Sequence, residues 1–412
     1  MMIWFLVSLL KGSALKSAFI WFNVFVISLL FWYRSRNSRV DNFLTSLPGP
    51  SSYPIIGSIH LFVGKSKRDI LKKVMRTLDY YSRHKMFRFY VGRNHYAVLA
   101  DPQTIQSVLR NPNCYDKDVT YNFLEIPNIL FTANGEPWMK ERKAVSPGYS
   151  PRIISAIDPI YSHRIRGLED ALRKRAATGE VFNLIEHILP MAIDTICDTF
   201  MGISLDMQAR DNAKYVKALL RIPDLFIERA MIPFYQPEII YSLTGKKKEY
   251  QSCLNLMLTM TREVLEKKME HRAELRKTSG ASYEAGRKLF LDILLDKFEA
   301  SEKKDMDLLT YETVELFVAG SVTVATMVSW VCLLSGVFPE VGDKLREEID
   351  SRVEDAPNAT IEDCAELEYL DLVVKEALRH FTVPLIARKA KKIFKFLMLE
   401  LFLRIQGSLF PC

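Results

Sequence analysis

Apolar residues along this chain recur mostly three and four positions apart, the spacing of one helix face. Ile193, Ile196, Cys197 and Phe200 sit at i, i+3, i+4 and i+7 and predict a helix with a single buried side. Leu254 to Lys277 starts apolar and becomes rich in Glu, Lys and Arg, which predicts a helix with a solvated later part. Gly245–Lys248 ahead of it reads as a loop, and Lys277–Gly286 as a Ser/Gly-containing linker. Leu308 to Gly336 is apolar almost all round, so it predicts a long helix through the centre of the protein. Phe338-Pro339-Glu340 restarts the chain into an amphipathic helix over Val341–Val353. Period-two patterning is confined to Phe87–Val91 and Tyr96–Leu99, two strands with Gly92–His95 as their turn, and Asp101-Pro102 then opens a helix. The fold class is mainly α with a small β portion.

The N-terminus has a different pattern. Ser17–Tyr33 is 17 residues without a charge, followed by Arg34, Arg36 and Arg39. That length is at the lower edge of what crosses a bilayer core, and the arginines fit the cytosolic end of an anchor. A buried core helix and a cleaved signal peptide are the competing readings, the second opposed by the bulky Phe-Trp-Tyr end of the run. Leu47–Pro50, then Pro54 and Gly57, read as a stiff connector to the folded body. The expected division is an anchor with its basic stop over 1–39, a proline-rich hinge over 40–57, a main domain over 58–390 and a divergent tail over 391–412.

Composition narrows the partners. The 412 residues are 49% hydrophobic and 25% charged, as in a globular protein with a sizeable core. A net charge of +7 suits anionic lipid or an acidic partner, and no basic stripe interleaved with aromatics marks nucleic acid. The six cysteines form no CxxC and no Cys/His cluster, so they read as reduced, mostly buried thiols facing the cytosol.

Three short groups carry candidate chemistry. Trp138 and Arg142 are four apart and share a helix face, where the arginine could meet the carboxylate of a buried cofactor or form a surface cation–π pair. Ala319–Thr326, AGSVTVAT, puts the small residues Ala319 and Gly320 where a flat cofactor could approach the backbone. Thr323 follows as a hydroxyl that could hold a water or bond an earlier carbonyl and bend the helix. Glu376 and Arg379, in Tyr369–Arg379, are three apart. They form either an ordinary exposed pair or a buried structural one, and the apolar neighbours Leu370, Leu372, Val373 and Val374 favour burial.

In this order, and with the LPGP hinge and the helix FPEVGDKLREEI, these groups resemble a microsomal cytochrome P-450 of the fatty-acid-hydroxylating branch, from the anchor to about Lys389. The resemblance implies haem, with Trp138, Arg142 and Arg388 toward its propionates, Ala319 and Gly320 on its face, and Thr323 catalytic in oxygen activation. Glu376 and Arg379 would be structural. It further implies monooxygenation of lipophilic substrates (fatty acids, hormones or xenobiotics), electrons from an NADPH-dependent flavoprotein reductase, and an endoplasmic reticulum membrane location with the main domain in the cytosol. Two departures accompany it. Val322 stands where the family carries an acid and Val324 where it carries a second hydroxyl, so proton delivery would rest on Thr323. The residues 391–412 contain no FxxGxRxCxG loop, and Cys412 follows Phe-Pro without a glycine-rich turn, so no metal ligand is assigned. The expected architecture is therefore a truncated form of that fold, and a catalytically inactive membrane-anchored fragment is the alternative function.

Overall fold

The computed structural model describes residues 17, 19–27, 38–53, 56–62, 67–92, 94–149, 158–209, 213–279, 289–354, 359–381 and 386–391. Two units partition the chain, one up to Leu109 with Met231–Pro233, the other from Arg110 to Ala230 and from Phe234 onward.

In the first unit, α1 (Ser38–Ser46) and α2 (Lys67–Ser82) precede β1 (Met86–Val91), β2 (Asn94–Leu99) and α3 (Pro102–Leu109). The strands are antiparallel, from Met86 opposite Leu99 to Val91 opposite Asn94. The second strand begins at Asn94, not at Tyr96, because Gly92 at φ +58° lets the chain reverse within two residues. The helix expected to open at Asp101-Pro102 is α3, and Asp101 caps it, its carboxylate accepting from the Thr104 N–H at 2.8 Å and the Thr104 hydroxyl at 2.7 Å. The proline-rich hinge is docked rather than free. Pro48 O accepts the Arg88 N–H at 2.8 Å, and Gly57 forms bridges to Tyr53 and Val91. A Cβ at Gly49 would meet Arg88 O at 2.4 Å, so only glycine allows that approach.

Part of the expected anchor is helical over 19–27, with Phe19, Trp21, Phe22 and Phe25 exposed; residues 18 and 28–33 lie outside the described residues. So do 392–412 of the tail, Cys412 included. Of the other cysteines, Cys114 and Cys197 are buried while Cys332 and Cys364 are exposed, which corrects the expectation of mostly buried thiols.

The second unit is helical throughout its regular elements, among the described residues. In order they are α4 (Gly135–Val145), α5 (Asp158–Thr178), α6 (Ile185–Ile196), α7 (Ala213–Met231), α8 (Glu238–Ser242), α9 (Gly245–Ser279), α10 (Phe290–Ala300), α11 (Met306–Phe317), α12 (Thr323–Val337), α13 (Pro339–Arg352), α14 (Ile361–Ala365) and α15 (Glu368–His380). The face predicted from Ile193, Ile196, Cys197 and Phe200 belongs to α6 and the π turn Cys197–Met201 that continues it, with Ile193 and Cys197 fully buried. Gly245–Lys248 is the first turn of α9 and not a loop. Two of its three lysines are held by carboxylates of preceding helices, Lys246 by Glu228 and Lys247 by Glu238.

The core gathers around α6, with Leu189, Ile193 and Met201 packed among Leu265 of α9, Leu295 of α10 and Phe317 of α11. α6 also packs against the π turn Val318–Val322 and against α12, and α15 lies along α12, where Trp330 and Phe381 stack with ring centroids 3.8 Å apart. The Glu348 carboxylate of α13 accepts the Tyr369 and Leu370 N–H groups at 2.7 and 3.0 Å, satisfying the open N-terminus of α15. The long apolar helix runs from Met306 to Val337 and is, among the described residues, the one long and apolar enough to cross a membrane. It is central only over its first half. Leu309, Val314, Leu316 and Phe317 are buried, whereas Leu333 and Val337 are more than half exposed, because α13 and α15 cover only part of α12.

A buried ion network holds α5 to α6. Asp194 is fully buried and accepts the Met207 and Gln208 N–H groups at 2.7 and 3.0 Å, while Arg164 reaches Asp198 at 2.7 Å and Asp206 at 3.1 Å. Removing the guanidinium takes the shared cation from three carboxylates, those of Asp194, Asp198 and Asp206. Arg164→Met is therefore expected to destabilise the fold by about 3 kcal/mol, read as a fall in the denaturant or thermal midpoint.

Candidate functional site

The segment between α3 and α4 brings a lysine into the interior. Asn134, just before α4, accepts the Lys117 N–H at 2.7 Å through its side-chain oxygen, and Lys117 forms an isolated antiparallel bridge with Arg388. Its ammonium is buried, donates to Leu130 O at 3.2 Å and to Ala133 O, and lies 5.1 Å from the centroid of the Trp138 ring. The Arg142 guanidinium is 5.5 Å from the same ring. Trp138 is half-buried, Arg142 exposed and Arg388 half-buried. Tyr115 packs on Trp138 with centroids 5.7 Å apart and fixes the ring. Burial lowers the Lys117 pKa to about 8, the Arg388 guanidinium pushes in the same direction, and Glu315 and Asp116 oppose them more weakly.

Three of the residues singled out in the sequence thus converge with a fourth, Lys117, that periodicity and spacing gave no reason to notice. Its only local signal is a lysine in the otherwise turn-like stretch Cys114–Thr120, and its partner Arg388 lies more than 250 positions later. Cations held around an aromatic face, one of them buried against desolvation, form a donor set suited to carboxylates. Haem carries two, so the residues present fit that cofactor.

The stretch around Ala319 has the second half of the site. The helix widens into the π turn Val318–Val322, a local departure common at functional positions. Hydroxyls accompany the change. Ser321 donates to Phe317 O, Thr323 to Ala319 O at 2.6 Å and Thr326 to Val322 O at 2.7 Å. This bears out the reading of Thr323 as a residue that bonds an earlier carbonyl. Ala319 is exposed in the middle of the unit, with Thr323 half-buried one turn further on. Gly320 has a different reason to be small. A Cβ there would meet Ile196 Cδ1 at 2.6 Å, so its hydrogen admits α6 and is not turned to the open face that Ala319 occupies.

Glu376 and Arg379 form their pair, with Arg379 Nε and Nη2 donating to the carboxylate at 2.8 and 2.6 Å. The pair is exposed and not buried, because Leu372 and Leu378 of α15 also face outward. The Arg379 hydrogen bond holds Glu376 down to about 2, and His380 joins at 3.1 Å.

The family model for Cytochrome P450 matches residues 47–397. The chain is 27% identical over 382 residues to Cytochrome P450 4c21 of Blattella germanica, covering 90% of this chain and 75% of that protein. It is 29% identical over 402 residues to Cytochrome P450 4d1 of Drosophila melanogaster, covering 92% and 76%. With human Cytochrome P450 4V2 the identity is 27% over 352 residues, covering 83% and 66%.

Two outcomes test the site. Below about pH 8 the folded protein keeps Lys117 charged at a cost, and between that value and the ordinary lysine value the unfolded chain binds more protons, so stability rises with pH through this window. Lys117→Met is expected to raise the thermal midpoint of the cofactor-free protein at neutral pH, to remove that rise, and to weaken haem retention. Gly320→Val forces Ile196 away and is expected to cost about 1–3 kcal/mol in unfolding measurements.

Proposed function

Because the chain belongs to the cytochrome P450 family, we propose that it is a haem-dependent monooxygenase that inserts one oxygen atom into lipophilic substrates on the open face of the central helix. Electrons from an NADPH-dependent flavoprotein reductase, and an endoplasmic reticulum membrane location through the apolar N-terminus, complete this reading. The observation that carries it is the meeting of Lys117, Trp138, Arg142 and Arg388 beside a helix that widens at Ala319. The comparisons favour this activity and give no support to the inactive-fragment alternative.

Bound haem supplies the oxidising chemistry that side chains lack. The protein's contribution is placement and charge. Lys117, Arg142 and Arg388 neutralise carboxylates, and the Trp138 ring shields Lys117 from water. Ala319 leaves room on the open face, while Ile196 fills the opposite side at Gly320. Thr323 has its proton on Ala319 O, so its oxygen lone pairs are left to accept from a water on the open side. Val322 and Val324 add no proton donor, whereas Thr323 between them carries a hydroxyl.

The test is direct. The full chain produced with a haem precursor is expected to bind haem near one equivalent, and Trp138→Ala with Arg142→Ala to lower that content severalfold. Reconstituted with reductase, Thr323→Val is expected to lower product formed per NADPH consumed while haem content stays at the wild-type level. Absence of haem from the wild-type chain under those conditions would sink the reading.

A further inference from the structure

Within the second unit, a cavity of about 340 Å³ lies between α5, the start of α6, Met207-Gln208 and the start of α7. None of its lining residues belongs to α4, to α11 or to the π turn at Ala319, so it is separate from the candidate cofactor site. Each wall has a local reason to leave room. Gly167, Ala171 and Arg175 recur every fourth residue on one face of α5, and the first two side chains are too small to fill the space. On α7, Ala213, Val216 and Lys217 share a face at i, i+3 and i+4, again with a small residue first. Pro190 of α6, Met207 and Val216 are buried and give the cavity an apolar floor. Gln208 ties its wall to the buried Arg164–Asp194 network, its N–H on Asp194 at 3.0 Å and its side-chain amide on Arg164 O at 3.2 Å.

Charge is carried by the rim. Arg175 and Lys217 are exposed and come from two different helices. Arg175 keeps a loose ion pair with Glu180 at 3.7 Å. Among the described residues, no carboxylate lies within 4.0 Å of the Lys217 ammonium. Glu186 is the one carboxylate of the lining, and the Asn183 amide donates to it at 3.4 Å. His187 packs edge-on to Phe182 with centroids 5.2 Å apart. Burial lowers its pKa, the Arg175 charge adds to this, and Glu186 opposes them, so the imidazole is neutral at pH 7. Two cations against one carboxylate leave the lining one positive charge in excess, the complement of a monoanion.

We propose that this cavity binds an amphiphilic monocarboxylate, its carboxylate held between Arg175 and Lys217 and its apolar body laid on Pro190, Met207 and Val216. The arginine fork and the lysine ammonium suit a single carboxylate approached from two sides. An inorganic anion would leave the apolar floor uncovered, and a dianion would meet added repulsion from Glu186. A bound carboxylate joins α5 to α7. The inference does not depend on the reading of the haem site.

Photolabelling locates the site. The probe is a medium-chain carboxylate carrying an aliphatic diazirine, applied to the full chain in lipid nanodiscs, with labelled peptides read by mass spectrometry. Label is expected on peptides from 167–190 and 207–217. Octanoate is expected to displace it, and octanol or octyltrimethylammonium at the same concentration to leave it in place. Arg175→Gln combined with Lys217→Gln is expected to lower labelling of these peptides by about tenfold at an unchanged thermal midpoint, since both side chains are exposed. Ala171→Leu, which fills the space and keeps both cations, is expected to lower it as well. Label on other peptides alone, competition by octanol equal to that by octanoate, or undiminished labelling of the double glutamine variant overturns the proposal.

Discussion

The helix from Met306 to Val337 has to do two incompatible things in one stretch: close the core on one side and keep a face open on the other. Close packing and an open face are reconciled where Val318–Val322 adopts the wider π turn. On the core side Gly320 admits Ile196, so α6 can lie against the turn without displacing it. On the other side Ala319 keeps its methyl exposed. The hydroxyls of Ser321, Thr323 and Thr326 each donate to a carbonyl four residues earlier, supplying donors where the regular ladder changes register. A larger residue at 320 would separate α6 from the turn, and the wall that defines the site would move with it.

The Lys117 ammonium and the Arg142 guanidinium lie over the Trp138 ring, and Arg388 pairs with Lys117 along the backbone. On α11, burial pushes the Glu315 carboxyl up to about 7. Burial lowers the pKa of Lys117 and raises that of Glu315, so these two are held in an environment that resists their charge. The surface ion pairs are different in kind. Glu376 and Arg379 are well formed yet solvent-exposed, and such pairs decide little about which conformation wins.

Much of the helical architecture was legible because burial imposes a period. The face of α6, the capped start of α3 and the restart at Pro339 follow from local spacing, caps and proline geometry, which depend on neighbours a few residues away. The first turn of α9 was not legible, since a Gly-Lys-Lys-Lys stretch reads as a loop until Glu228 and Glu238 are seen to hold two of its lysines. The proline-rich hinge likewise reads as a connector until its carbonyl at Pro48 is seen pairing with Arg88.

By itself the sequence determined the family, the helical class and the identities of Trp138, Arg142, Ala319 and Thr323 as candidates, because each lies in a short motif whose spacing survives translation into one helix face. Tertiary structure alone decided that Lys117 joins them, that Gly320 serves helix packing, and that Glu376 and Arg379 lie at the surface. The reason is physical. Burial and electrostatic field are sums over groups far apart in the chain, and no local spacing encodes whether a lysine near residue 117 will meet an arginine near residue 388.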